Sequence, residues 1–177
     1  MKVVPKDNTG SLRARKREMD NTPNHHLIPP KRLLVLEDDP TFQGVVKDFL
    51  ESYGYQVVAV ENGADGVREV MAGDFDVIIC DMMMPKVPGD MFYVAVERMR
   101  PYLCNRFVFI TGARGNQKVM DFIKQVKGLM LLKPFRMEEL LELVSYVRVK
   151  QLVASGIPPF PSLAPTSDGE QAAGSAQ

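Results

Sequence analysis

The sequence predicts an α/β protein built around a doubly wound parallel sheet, and three observations support this fold class. Five short apolar runs of four to six residues alternate with longer segments in which apolar residues recur at helical spacing. Glycine or proline stands between most of these segments, as expected where strands and helices join. Five strand–helix units in roughly 120 residues are typical of a parallel sheet with helices on both faces.

The five apolar runs are the predicted strands. The third run is nearly all apolar, which is typical of a central strand covered by helices on both sides. In chain order the predicted strands are residues 31–36 (β1), 56–60 (β2), 75–80 (β3), 106–110 (β4) and 129–132 (β5).

The segments between the strands are predicted to be helices, and most carry a start or stop signal. Pro40 suits a first helical turn, whose N–H groups have no partner within the helix. Gly54 and Gly128 are suited to ending the helices that precede them, and Pro101 stops the third helix. The predicted helices are residues 40–53 (α1), 64–71 (α2), 89–99 (α3), 116–126 (α4) and 136–149 (α5).

Composition divides the chain into three segments. Residues 1–30 lack periodicity, carry a basic cluster at 13–17 and are expected to be a flexible basic tail or linker. Residues 31–150 form the predicted folded domain. Residues 151–177 are expected to be a disordered tail, because Pro, Ser, Gly, Ala and Gln dominate from Ser155 onward and bury too little apolar surface.

Charge and cysteine content exclude several classes of function. The formal net charge is zero, so no overall field favours nucleic acid or a membrane surface, and we expect neither as a partner. No apolar run approaches the roughly 20 residues that a membrane helix needs. Cys80 and Cys104 are isolated, which indicates reduced thiols and a cytoplasmic protein. The only histidines, His25 and His26, lie in the basic tail, which argues against a histidine metal site.

Polar residues stand where four of the strand runs stop. Glu37 and Asp38 follow β1, Asp81 follows β3, Thr111 follows β4 and Lys133 follows β5. Parallel strands bring their carboxyl ends to one edge of a sheet, which is where open α/β sheets bind ligands. Three carboxylates, a hydroxyl and an ammonium at that edge would suit a divalent cation and a phosphoryl group.

Four motifs in this order resemble the receiver domain of two-component response regulators, of the chemotaxis-regulator type. The resemblance covers the whole predicted domain and implies a flavodoxin-like (βα)5 fold with the strand order 2-1-3-4-5. The motifs are Glu37-Asp38-Asp39-Pro40, Asp81-Met82-Met83-Met84-Pro85 with Gly89 after it, Thr111-Gly112-Ala113 and Lys133-Pro134-Phe135.

The resemblance also implies a role for each candidate residue. Asp81 would be the phosphoacceptor, taking a phosphoryl group from a histidine kinase or a histidine phosphotransfer protein. Mg²⁺ would be held by Glu37, Asp38 and Asp81, with the backbone carbonyl of Met83 as a further ligand. Lys133 and Thr111 would contact phosphoryl oxygens, and receiver domains have a cis Lys-Pro bond at the position of Lys133-Pro134.

As a receiver, the protein would be a signalling phosphoprotein and not an enzyme beyond its own phosphotransfer and slow dephosphorylation. Slow dephosphorylation is expected because Met83 and Ala113, which lie where the family tunes this reaction, cannot orient a water. The phosphorylated form would signal to a protein partner through the α4–β5–α5 face, and the resemblance leaves a homodimer open. Met130 stands where many receivers carry an aromatic switch residue; either it fills the same space, or this face signals little.

Three alternatives stay open on the sequence. The segment could be the receiver of a hybrid histidine kinase, or a pseudo-receiver that acts only as a docking module, although the complete acidic set argues against the latter. A hydrolase of the haloacid dehalogenase type also uses an aspartate nucleophile and Mg²⁺. Such enzymes want a second aspartate two residues after the nucleophile, and Met83 stands there instead.

Overall fold

The computed structural model describes residues 31–112 and 115–156. Five parallel strands form one sheet in the order β2-β1-β3-β4-β5, which confirms the predicted fold class and strand order. The strands are Arg32–Leu36 (β1), Gln56–Val60 (β2), Val77–Asp81 (β3), Phe107–Thr111 (β4) and Leu129–Leu132 (β5). The register pairs Leu36 with Cys80, Asp81 with Ile110 and Thr111 with Leu132, so the carboxyl ends of the central strands lie together.

Helices cover both faces of this sheet. Their bounds are Pro40–Ser52 (α1), Gly63–Ala72 (α2), Gly89–Met99 (α3), Gln117–Gln125 (α4) and Met137–Ala154 (α5), and a short 3₁₀ helix, Pro101–Arg106, precedes β4. Alternate residues of the strands face opposite layers. Ile78 and Cys80 pack in a cluster with α2, α3 and α4, whereas Val77 and Ile79 pack in a second cluster with α1 and α5.

Side-chain caps fix where three of the helices begin. The Asp39 carboxylate accepts hydrogen bonds from the backbone N–H groups of Thr41 and Phe42 and so starts α1 directly after β1. Asn62 caps α2 and Asn116 caps α4 in the same way. The first of these caps sets the path of the chain beside the carboxyl end of β1.

Two strands, β3 and β4, end one residue later in the structure than the sequence predicts. Asp81 and Thr111 are the last residues of β3 and β4, because parallel pairing continues through them. Met82 is buried in the cluster that packs with α2, α3 and α4. Its N–H donates to the Ile110 carbonyl, so the alternation of β3 continues and places this side chain on the same layer as Cys80.

The end of α5 also differs from the prediction. Residues 151–154, expected in the disordered tail, are helical, because no glycine interrupts the helix before Gly156 and because Gln151 donates a side-chain hydrogen bond to the carbonyl of Asp76. The proposed tails at 1–30 and 157–177 lie outside the described residues, as does Ala113. None of the helices in the described ranges is long and apolar enough to cross a membrane.

Candidate phosphoacceptor and metal site

The three predicted carboxylates meet at the carboxyl edge of the sheet. One oxygen each from Glu37, Asp38 and Asp81 lies within 4.8 Å of the others. Glu37 and Asp81 are buried, whereas Asp38 is exposed at the mouth of the site. Two buried acids in contact with a third repel one another unless a cation joins them.

Backbone hydrogen bonds hold Glu37 in place. Its N–H donates to the carbonyl of Val60 at the end of β2, and its carbonyl accepts from the Gln43 side chain in α1. Asp39 adds a long backbone hydrogen bond of 3.5 Å to the Glu37 carboxylate. The segment between β1 and α1 is therefore tied to both neighbouring elements.

Lys133 supplies the cation that these acids require. Its Nζ lies 2.7 Å from Oε2 of Glu37 and 2.5 Å from Oδ2 of Asp81. The Lys133 N–H donates to the Thr111 carbonyl, which continues the pairing of β4 and β5 and aims the side chain at the acids. The Lys133-Pro134 peptide bond is cis, as the resemblance implied.

The surroundings raise the pKa values of both Glu37 and Lys133. Burial, followed by the nearby Asp81 carboxylate, raises the pKa of Glu37 in spite of the hydrogen bond from Lys133. Burial lowers the pKa of Lys133, but its hydrogen bonds to Asp81 and Glu37 together outweigh burial, so its pKa is raised. The ammonium therefore stays charged while serving two acids at once.

The other two predicted residues occupy the same edge. Thr111 is fully buried at the end of β4, next to the strand that ends in Asp81. The Met83 N–H donates to Oδ1 of Asp81 at 2.8 Å, while the Met83 side chain is exposed. The hydroxyl role of Thr111 and the carbonyl role of Met83 stay predictions.

Gly89 lets α3 approach the end of β3 closely. A Cβ atom at this position would lie 2.6 Å from the carbonyl oxygen of Asp81, which is shorter than real side chains tolerate. The glycine four residues after the Asp81–Pro85 motif therefore has a steric reason within this structure.

The sequence prediction missed an aromatic contact at the site. Nζ of Lys133 lies 4.5 Å from the centre of the Phe42 ring, and the Phe135 ring meets Phe42 edge-on at 5.8 Å. A cation over an aromatic face is attracted by the ring quadrupole. Phe42 recurs at helical spacing with the other apolar residues of α1, and this pattern predicts a core position and no contact with the site. Its place in the first turn after the acidic motif was the available signal.

Comparisons with known proteins agree with this geometry. Residues 33–145 match the family model of the response regulator receiver domain. The transcriptional regulatory protein TcrA of Mycobacterium tuberculosis is 32% identical over 133 residues, which are 73% of this chain and 49% of TcrA. The chain thus spans about half the length of such transcriptional regulators. The chemotaxis protein CheY of Bacillus subtilis is 28% identical over 116 residues, which are 64% of this chain and 94% of CheY.

The fold has close solved counterparts. A CheY-like response regulator receiver domain protein from Methanospirillum hungatei superposes with a TM-score of 0.65 at 21% identity. The match covers 71% of this chain and 98% of that protein. The shared architecture therefore extends over nearly the whole of the solved domain.

Proposed function

The chain belongs to the response regulator receiver domain family, and on that premise we propose that it is a phosphoacceptor in a two-component phosphorelay. Asp81 takes a phosphoryl group from a histidine kinase or a histidine phosphotransfer protein, and the phosphorylated domain signals to a protein partner. The observation that carries this proposal is the contact of Lys133 with two buried carboxylates, one of which is the candidate acceptor.

The side chains present suit each part of a phosphoryl transfer. A carboxylate oxygen of Asp81 forms a bond to phosphorus, while the phosphorus–nitrogen bond of the donor phosphohistidine breaks and its electron pair returns to the imidazole. The Met83 N–H orients Oδ1, and Lys133 holds Oδ2 at rest. After transfer, the Lys133 ammonium and the Thr111 hydroxyl bind phosphoryl oxygens.

The three carboxylates fit a hard divalent cation, because their oxygens converge within 4.8 Å and oxygen is the ligand that Mg²⁺ prefers. Bound by Glu37, Asp38 and Asp81, with the Met83 carbonyl as a further ligand, Mg²⁺ would neutralise charge on the incoming phosphoryl oxygens. Glu37 is longer than the aspartate that receivers usually carry at this position, and its shared contact with Lys133 keeps it within the site.

The output of the signal belongs to the same proposal. The α4–β5–α5 face contacts the partner, since Lys133 leads directly into α5 and its N–H is bonded to the end of β4. Met130 is half-buried against the cluster that packs with α2, α3 and α4. Its side chain fills space there but has no ring that could act as an aromatic switch. Both cysteines are free thiols, which supports a cytoplasmic location.

The direct test is the intact mass of the full chain after treatment with acetyl phosphate and Mg²⁺. We expect a gain of one phosphate in the wild type and none in Asp81→Asn, because the amide is not a competent nucleophile. Asp76→Asn is the matched control: it removes a carboxylate at the opposite end of β3, so it should label like the wild type.

Two results would contradict the proposal. Labelling of Asp81→Asn at the wild-type level would move the acceptor to another residue, and a wild type that never gains phosphate would favour a docking module. The labelled sample also tests stability of the phosphorylated form: loss of the phosphate within seconds would refute the slow dephosphorylation expected from Met83.

A further inference from the structure

A cavity lies at the end of the sheet opposite Asp81, where the end of α5 meets the 3₁₀ helix that precedes β4. Its volume is about 280 Å³, and both elements contribute to its walls. Two of the polar side chains that line it are cations and none is a carboxylate, so the lining carries positive charge. These side chains are Tyr102, Asn105, Arg106, Lys150, Gln151 and Ser155.

The two cations of this cavity have no acidic partner of their own. Among residues 31–112 and 115–156, no carboxylate lies within ion-pair distance of Arg106 or Lys150. Nη1 of Arg106 donates to the Phe75 carbonyl at 2.6 Å, and its guanidinium carbon lies 5.5 Å from the centre of the Tyr102 ring. These contacts hold the guanidinium in place and leave further N–H donors of its planar fork for a ligand.

Neutral polar groups and an aromatic ring complete the lining. The Gln151 side chain donates to the carbonyl of Asp76 at 2.6 Å, which fixes its position between α5 and the sheet. Asn105 and Ser155 are exposed, and neither side chain has a hydrogen-bond partner in the part of the chain that the structure describes. Tyr102 is 49% exposed. The cavity therefore offers charged and neutral hydrogen-bond donors beside an accessible ring.

Negative charge close to the cavity is already paired within the domain. Asp74, which accepts a hydrogen bond from the Tyr102 hydroxyl, pairs with Arg100 at 2.8 Å. The carboxyl end of a helix carries partial negative charge, but the N–H groups of Ser155 and Gly156 donate to carbonyls in the last turn of α5. The positive charge of the lining is therefore available to an anion.

A neighbouring cavity shows the contrast. It has a volume of about 190 Å³, shares Gln151 and Ser155 with the first, and is lined by Lys31 and Arg148. Its lining also includes Asp76, whose carboxylate lies 3.6 Å from Nζ of Lys31. An acid inside the domain thus offsets the positive charge there, whereas the first cavity has no such acid in its lining.

We propose that the first cavity binds a small anion that carries a phosphate group, with Arg106 and Lys150 as the groups that bind the phosphate. Guanidinium and ammonium groups form strong, charge-assisted hydrogen bonds to phosphate oxygens. The accessible Tyr102 ring favours a ligand with a planar base, because bases stack on aromatic side chains. The volume is at the lower limit of small-molecule sites, so the ligand is no larger than a mononucleotide. None of these residues lies at the phosphoacceptor site, so the proposal goes beyond phosphotransfer.

The test is an NMR titration of the full chain, labelled with nitrogen-15, with AMP, inorganic phosphate and adenosine as separate probes. Chelator is present throughout, so that no metal draws the anions to the carboxylates around Asp81. We expect AMP and inorganic phosphate to shift the amide signals of residues 105–106 and 150–155. AMP should bind more tightly than inorganic phosphate because its base contacts Tyr102, and adenosine should bind far more weakly than AMP.

Variants separate the phosphate contacts from the ring contact. Lys150→Gln and Arg106→Gln should each weaken AMP binding about fivefold, because each removes a charged hydrogen-bond donor. Lys124→Gln, on the exposed side of α4, removes the same charge elsewhere and should bind AMP as the wild type does. Tyr102→Leu should weaken the binding of AMP but not of inorganic phosphate, whereas Tyr102→Phe keeps the ring and should keep the affinity for AMP.

Three outcomes would overturn the assignment. The first is a wild type whose signals at the cavity do not shift with AMP or inorganic phosphate up to about 10 mM. The second is adenosine that binds as tightly as AMP, which removes the role of the phosphate. The third is an equal loss of affinity in Lys124→Gln and Lys150→Gln, which reduces the effect to the overall charge of the domain.

Two measurements keep this test independent of folding and of the phosphoacceptor proposal. Circular dichroism melts check that Arg106→Gln folds, and Lys150→Gln alters an exposed side chain, so it decides the question alone if Arg106→Gln does not fold. Asp81→Asn should bind AMP as the wild type does, and Lys150→Gln should gain phosphate from acetyl phosphate as the wild type does. Failure of one proposal therefore leaves the other unaffected.

Discussion

At the carboxyl end of the sheet three carboxylates lie together and two of them contact one ammonium, whereas at the amino end four basic side chains contact a segment with two carboxylates. The segment 74–76, just before β3, is held there by contacts from Lys31, Arg32, Arg100 and Arg106. The Tyr102 hydroxyl adds a hydrogen bond to Asp74. Both ends thus bring basic side chains to acidic ones. Carboxylates are in excess at the carboxyl end, and basic side chains are in excess at the amino end.

Burial separates the two ends further. The side chains of Glu37 and Asp81 are 4% and 6% exposed, whereas Asp76 is 28% exposed and Asp74 is 65% exposed. Exposed charges are solvated, and their pairs contribute little to stability. Buried acids in excess leave negative charge that a cation or a ligand must neutralise. The charge balance, more than the residue types, therefore distinguishes the candidate site from the opposite end of the sheet.

Removing the lysine at each end of the sheet should give the largest difference in stability between the two ends. Lys133→Met leaves Glu37 and Asp81 facing each other, and we expect the free energy of unfolding to fall by about 2 kcal/mol, less than for a fully buried pair because Lys133 is partly exposed. Lys31→Met should cost less than about 0.5 kcal/mol. Urea unfolding in chelator, followed by circular dichroism, measures both; equal losses would refute the distinction between the ends.

Divalent cation should partly replace the missing lysine. If Mg²⁺ binds as proposed, it competes with the Lys133 ammonium for the same carboxylates, so we expect Mg²⁺ to raise the melting temperature of the wild type and to raise that of Lys133→Met more. Glu37→Gln should reduce the increase, and chelator should reverse it. The chain has no tryptophan, so calorimetry or circular dichroism is the suitable readout. An identical Mg²⁺ response in all three proteins would place the cation elsewhere.

The aromatic contact at the carboxyl end predicts a moderate effect on rate. Phe42→Leu removes the ring over the Lys133 ammonium, worth about 0.5–1 kcal/mol, so phosphate incorporation should slow roughly two- to fivefold with the same endpoint. Phe42→Tyr should restore the rate. Phe49→Leu alters the same helix at an aromatic pair with Tyr53, remote from Lys133, so the rate of phosphate incorporation should not change. A slowing by Phe49→Leu of the same size would indicate general damage to α1.

The smallest predicted effect concerns pH at the amino end. The hydrogen bond from Tyr102, assisted by Arg100, lowers the pKa of Asp74 from 3.8. Because the folded state holds the ionised form, this group adds stability above the unfolded pKa and loses it as pH falls through the lowered value. Tyr102→Phe should therefore have a lower free energy of unfolding than the wild type at pH 6. The difference between the two proteins should become smaller as pH falls to 3. A difference that is constant with pH would assign the contact a packing role.

The sequence pattern was sufficient for the edge at which the acids and Lys133 meet, because each of these residues follows a predicted strand and parallel strands end at one edge. The strand order and the cis Lys133-Pro134 bond were implied only by the resemblance to receiver domains. The exact strand ends were harder, because the pairing that includes Asp81 and Thr111 depends on neighbouring strands.

Contacts made across long stretches of chain could not be predicted. Arg100 and Tyr102 reach Asp74 across 26 and 28 residues, and Gln151 reaches the Asp76 carbonyl across 75. No local pattern marks such partners. The same is true of Phe42 over Lys133, since an aromatic residue on an amphipathic helix is expected in the core.

The site is anchored in both hydrophobic layers at once. Asp81 is flanked by Cys80 and Met82, which belong to the cluster under α2, α3 and α4, while Phe42 and Phe135 pack against the cluster under α1 and α5. The sheet separates these clusters, and Asp81 lies between backbone neighbours that belong to one of them and beside a lysine whose aromatic neighbours pack against the other. A covalent group on the Asp81 carboxylate would therefore alter the surroundings of both clusters from a single residue.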